Sequence, residues 1–146
     1  MKVKKKSRNL LYWLKRLLLL GAVACPLFAY FVLLPLWQIH NPNWLQKANA
    51  KEKLDTLHRV LSIPLGPLHH DAFLLANDIG TKKTIPYLIS ALRWQSDNGP
   101  DDDIMVCTKT HCLDALIKLT KHDAGVNYSN WRKWQQTQSV SLCSDQ

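Results

Sequence analysis

DAFLLANDIGTKKTIPYLISAL, residues Asp71 to Leu92, reads as two short helices joined by a tight turn. Leu68, Ala72, Leu75, Ala76 and Ile79 recur at helical spacing, and Gly80 closes the run in the favoured position after a helix. Thr84 then stands as an N-cap with Pro86 in the first turn, and Ile85, Leu88, Ile89 and Leu92 form the inner stripe of the next helix. On the N-terminal side, Leu54, Leu57, His58 and Leu61 fall at i, i+3, i+4 and i+7, one face of an amphipathic helix. SIPLGPL, Ser62 to Leu68, stops that helix with two prolines and a glycine. On the C-terminal side, QSDNGPDDD, Gln95 to Asp103, is an acidic loop whose last aspartates suit a helix N-terminus. Cys112, Leu113, Leu116, Ile117 and Thr120 then give a fourth helix its inner face. After a turn at Gly125, Ser129 or Asn130 caps a short helix in which Trp131 and Trp134 share a face. No window alternates as a strand would. The expected fold is all-α.

Further towards the N-terminus, LLLLGAVACPLFAYFVLLPLW, Leu17 to Trp37, runs without a charge. At ~1.5 Å per residue such a helix spans about 30 Å, the thickness of a bilayer's hydrocarbon core. Tyr12 and Trp13 precede it, and Trp37 and Trp44 stand at and beyond its far end, where aromatic rings favour the water–lipid boundary. Pro35 sits in the last turn at little cost, and Pro26 is the expected place for a kink. Ala22-Val23-Ala24 matches a signal-peptidase site, but cutting there leaves the apolar stretch Pro26 to Trp37 at the new N-terminus. A lipoprotein reading uses Cys25, yet Ala22 replaces the usual large aliphatic residue and a proline follows at once. An uncleaved transmembrane anchor over 17–37 is the reading that uses the whole length.

The chain has 146 residues, a net charge of +8 and a pI near 9.5, with 21% of residues charged. Seven of the positives are Lys2, Lys4, Lys5, Lys6, Arg8, Lys15 and Arg16, with no acid among them; from residue 17 on, 12 basic residues face 11 acidic ones. The charge is thus one N-terminal cluster, which excludes a basic nucleic-acid-binding domain. A 47% hydrophobic content excludes a disordered polar chain, and ~100–200 residues per domain leaves no room for a large multidomain enzyme. Positive residues resist translocation, so residues 1–16 are expected in the cytoplasm and everything after the anchor on the far side, as in a bacterial inner membrane with a periplasmic domain. Lys47, Lys51 and Lys53, offset by Glu52, are too few to reverse this. The expected organisation is a basic segment 1–16, anchor 17–37, linker 38–46, helical domain 47–136 and tail 137–146.

Asp71-Ala72 through Ile79-Gly80, followed by Ile85-Pro86-Tyr87-Leu88-Ile89 and Ala91-Leu92, resembles HEAT repeats, in particular the short bacterial type named after phycobilisome lyases. Cys112 to Thr120 is similar to the second helix of a next repeat, and Asp123 to Gly125 with Trp131 and Trp134 resembles an aromatic end-cap. The likeness covers residues 68–134 and departs from the family in its long 95–103 loop and in offering only two repeats. Solenoids bury a continuous core with three or more repeats, so the 47–61 helix and the tryptophan cap are expected to complete it. The resemblance implies a short antiparallel HEAT-like array with a surface for binding a protein, and no catalytic motif.

Cys107 and Cys112 are the first candidates for chemistry. In one continuous helix their Cα atoms would stand about 8–9 Å apart, whereas a disulfide spans at most ~7 Å, so a bridge requires Cys107 at or outside the helix start. An oxidising compartment favours pairing among Cys107, Cys112 and Cys143, in a combination the sequence leaves open, ahead of buried thiols. The rival reading is a periplasmic thiol-redox or metal-binding factor using Cys107, His111 and Cys112. His69 and His70 are adjacent, hence ~100° apart on a helix, where they do not easily share a metal ion unless the stretch is loop; with Asp71 they read as a polar helix N-terminus. His122 and Asp123 read as a helix end and turn, Asn127-Tyr128-Ser129 as a capping turn, and Asp101, Asp102 and Asp103 lack the alternating spacing of a calcium loop. Nucleophile-elbow, phosphate-loop, dinucleotide and HExxH motifs do not occur. No cofactor and no catalytic residue is expected. The expected partners are the lipid bilayer and a protein docking near Tyr87, Trp94, Asp101, Asp102 and Asp103.

Overall fold

The computed structural model describes the backbone of residues 3–95 and 103–144, and the side chains of 12–95 and 107–138. Its described residues form helices and turns, with no strand. The chain divides into two compact units, Met1–Leu34 and Pro35–Gln146.

The first unit is one long helix. α1 (Val3–Phe28) passes into a single π-helical turn at Ala29–Leu33. Pro26 lies inside α1 without interrupting it, so the irregularity falls elsewhere than its expected place. It falls just ahead of Pro35, whose ring would clash with the carbonyl four residues back; there the ladder widens, and Leu34 N–H donates to Ala29 O. Leu17, Leu18, Leu19 and Leu20 are all exposed. Arg16 lays its guanidinium 4.5 Å above the Tyr12 ring, with Trp13 beside it, pairing charge and aromatic face at the basic end of the apolar stretch. By length and composition, the helix Tyr12–His40 is apolar enough to cross a membrane.

α2 (Leu34–His40) starts at the last residue of the first unit and lies otherwise in the second; its Pro35 and Ile39 are buried. Asn41 caps α3 (Pro42–Lys47) by accepting the N–H groups of Asn43 and Trp44, with Pro42 at the first position. α4 (Ala50–Leu61) starts in a capping box: Asn49 Oδ1 accepts from Glu52 N–H, and Glu52 Oε2 accepts from Asn49 N–H. SIPLGPL does end α4, and its second half winds into a 3-10 turn, Gly66–His69, that delivers the chain into α5 (His70–Ile79). Gly66 is required there, because a Cβ would stand 2.1 Å from the Trp94 carbonyl oxygen.

A second 3-10 turn, Lys82–Thr84, leads into α6 (Ile85–Leu92); after the segment at 96–102 come α7 (Asp103–Thr120) and α8 (Tyr128–Ser144). Thr84 does not cap α6 with its side chain. Its buried hydroxyl instead accepts the Thr81 N–H and meets His58 Nε2. α5 and α6 each pack on both α4 and α7, and α8 packs on α6. Leu57, Leu61, Phe73, Ala76, Leu88, Leu92, Leu116 and Trp131 fill the shared core. Trp131 satisfies its indole N–H on the Gly125 carbonyl at 2.7 Å, which lets so large a ring be buried. The helix carrying it is longer than expected and runs to Ser144, through the segment read as a tail.

Candidate metal centre

The packing of α5 on α7 brings three potential metal ligands together. α7 contributes Cys107 and His111, which share one face at i and i+4. α5 contributes His70, its first residue, aimed across by the 3-10 turn before it. Cys107 Sγ lies 3.3 Å from His111 Nε2 and 4.0 Å from His70 Nε2, and the three atoms are all within 4.8 Å of one another. The imidazoles of His70 and His111 meet edge to face, 5.2 Å between centroids. Cys107 is exposed, and both histidines are partly buried.

The size of this triangle is the informative quantity. Zinc–sulfur and zinc–nitrogen bonds of about 2.3 and 2.0–2.1 Å at tetrahedral angles place ligand atoms about 3.3–3.6 Å apart. The S···N edges of 3.3 and 4.0 Å bracket that range, while the remaining edge between the two imidazoles, at most 4.8 Å, would have to shorten by up to about 1.5 Å for all three atoms to reach one ion. Three protein ligands leave a fourth position for water or an external ligand.

An outer contact prepares one of the ligands. Asp71 Oδ1 lies 2.9 Å from His70 Nδ1, so that nitrogen carries the proton and donates, leaving the lone pair on Nε2, which faces Cys107. A carboxylate behind a ligating imidazole fixes its tautomer and raises its basicity. The other oxygen of Asp71 lies 3.2 Å from His40 Nε2.

The sequence-derived candidates distribute unevenly around this cluster. Cys112 faces the core, fully buried, with its thiol donating to Leu88 O, and burial pushes its pKa well above the ordinary thiol value. It stays a neutral thiol and does not join Cys107 and His111. Cys107 and Cys112 are unbonded and lie in one uninterrupted helix, the arrangement in which bridging is geometrically barred. The Cys143 side chain lies outside the described residues, as do Asp101 and Asp102; Asp103 opens the α7 backbone.

His69 and His70 face different surroundings, as adjacent helical residues must. His69 is buried: its Nε2–H donates to Ile63 O, while Nδ1 accepts from Gln95 Nε2, whose other contact is Gly66 O. Burial pulls the His69 pKa below its usual value, against the raising effect of backbone bonds at Ile63 and Val60. Tyr87 is half-exposed and stacks flat on His58 at 4.2 Å, while Trp94 is exposed beneath the Arg93 guanidinium. His122 stacks on Trp134 at the end-cap.

No family model, curated protein or solved structure matches this chain. Function therefore rests on the chemistry of the site.

Proposed function

We propose that this is a single-pass membrane protein whose HEAT-like helical domain binds a soft or borderline d10 metal ion, zinc(II) or copper(I), on the far side of the membrane. The observation that carries this reading is the convergence of Cys107 Sγ, His70 Nε2 and His111 Nε2 within 4.8 Å, with Asp71 presetting the His70 tautomer. Thiolate and imidazole ligands select zinc and copper(I) over magnesium or calcium, which take oxygen. An exposed site with one position free suits an ion that is exchanged or that reacts with an external ligand. The long apolar helix and the seven N-terminal positives supply the anchor and its orientation, N-terminus in the cytoplasm.

Titrating the full chain in detergent micelles with cobalt(II), a spectroscopic stand-in for zinc, tests the site. One equivalent should develop a thiolate-to-cobalt charge-transfer band, and excess zinc(II) should bleach it; copper(I), titrated separately against a chromophoric chelator, reports the alternative ion. Cys107→Ser should abolish the band and His111→Ala should weaken binding at least about tenfold, whereas Cys112→Ala should bind normally. A wild-type chain without the band, or a Cys107→Ser variant that retains it, would overturn the reading.

A second reading, docking of a protein partner, is favoured by the exposed rings of Tyr87 and Trp94, which fall at i and i+7 on the α6 side of the domain. Aromatic side chains with an arginine alongside are enriched at protein interfaces. The two readings occupy different residues and are compatible.

A further inference from the structure

His40 stands one contact beyond the cluster. It ends α2, whereas the ligands belong to α5 and α7, and the link between them is the Asp71 carboxylate. Oδ1 of Asp71 meets His70 Nδ1 at 2.9 Å, and Oδ2 meets His40 Nε2 at 3.2 Å. The remaining His40 nitrogen, Nδ1, lies 2.7 Å from Leu36 O in the same helix. The carbonyl only accepts, so Nδ1 carries a proton, and Nε2 can donate to Asp71 as well only when the ring is the doubly protonated imidazolium; in that form each His40 N–H has an acceptor and the ring is held from both sides. Each oxygen of the carboxylate is thereby engaged by a different ring, one of them a candidate metal ligand.

We propose that His40 is a positioning residue for the metal site: by holding the second oxygen of Asp71 it keeps the first aimed at His70, and it ties occupancy of the site to the end of α2. The inference rests on the metal reading above. An ion on His70 Nε2 withdraws electron density from the ring and makes Nδ1–H a stronger donor to Asp71. A more firmly held Asp71 spends more of its time in the orientation that also engages His40. Linkage makes the effect mutual: whatever free energy His40 contributes to ion binding, the ion returns to the His40 contact. A site of this design registers its ion at the end of the helix that runs from Tyr12 to His40.

The test uses the full chain in detergent micelles, with zinc(II) affinity read by competition against a chromophoric chelator. Removing an outer-shell partner of a ligand typically costs 10–100-fold in metal affinity. Asp71→Asn should fall in that range, and His40→Ala, one contact further out, should lose about three- to tenfold while keeping the thiolate-to-cobalt band. His40→Gln, which restores an N–H donor toward Asp71, should recover most of that loss. In the wild-type chain, zinc should slow amide hydrogen exchange at Ile39, His40 and Asn41, and Cys107→Ser should remove that effect. His40→Ala binding zinc as tightly as wild type, His40→Gln as weak as His40→Ala, or unchanged exchange at 39–41 on saturation with zinc would each overturn the positioning role while leaving the metal site standing. A wild-type chain that binds no ion at all would instead remove the underlying reading.

Discussion

His69 and His70 are neighbours in sequence with opposite fates, and the difference is burial. His69 is enclosed and neutral, bridging Ile63 and Gln95, and so pins the SIPLGPL turn that launches α5. Its lowered pKa has a definite consequence. At pH below the usual imidazole value near 6.5, the unfolded chain takes up a proton that folded His69 refuses. Stability contributed by the neutral ring is therefore full above that pH and falls as pH drops through it, levelling off below the folded pKa. His58, also lowered by burial and only partly compensated by Asp55, acts in the same direction. Unfolding by urea between pH 8 and 5, in mild detergent, should show this decline, and His69→Gln should flatten it. The same variant should cost about 1–3 kcal/mol at pH 8, because buried partners lose their bonds. An unfolding free energy independent of pH over that range would contradict a buried neutral His69.

Elements carry the parts of the fold that were legible in the sequence. Leu57 and Leu61 of α4, Ala72 and Ala76 of α5, and Leu88, Ile89 and Leu92 of α6 are buried as their helical spacing indicates. The α7 face is shifted: Thr108, Cys112, Ala115 and Leu116 are buried, whereas Ile117 turns outward, since α7 is clasped by both α5 and α6. Gly80 ends α5 at φ −57°, not in the left-handed region; it is needed because a Cβ would stand 2.3 Å from Ala76 O. Cys107 and His111 were legible in the sequence only as part of a trio with Cys112, which the structure turns into the core. His70 was not, because its partners lie on a separate helix and only packing reveals them. His40 gave no signal at all. α1 carries the element-scale prediction. Its positives should hold the N-terminus inside, so a reporter active only outside the cytoplasm, fused after Gln146, should be active. Moving the seven positives to the other flank should silence it, and an inactive reporter on the wild-type chain would contradict the orientation.

Taken as a whole molecule, the chain joins an exposed apolar helix to a helical unit with its own core, and the His70–Cys107–His111 cluster lies on that unit. Seven of the net eight positives belong to the N-terminal segment, so the high pI reflects that one cluster and the rest of the chain is nearly neutral. The core is built from generic apolar positions and would tolerate many sequences, whereas three ligand atoms and a carboxylate in register are a specific arrangement. Charge-assisted contacts among exposed groups contribute little to stability, and coordination is the proposed account of why His70, Asp71, Cys107 and His111 converge where α5 packs on α7. X-ray absorption at the zinc edge of the zinc-loaded full chain tests this most directly. The expected first shell is one sulfur at about 2.3 Å with two imidazole nitrogens and one further light atom at about 2.0–2.1 Å. A shell of nitrogen and oxygen alone, or one unchanged by Cys107→Ser, would contradict it.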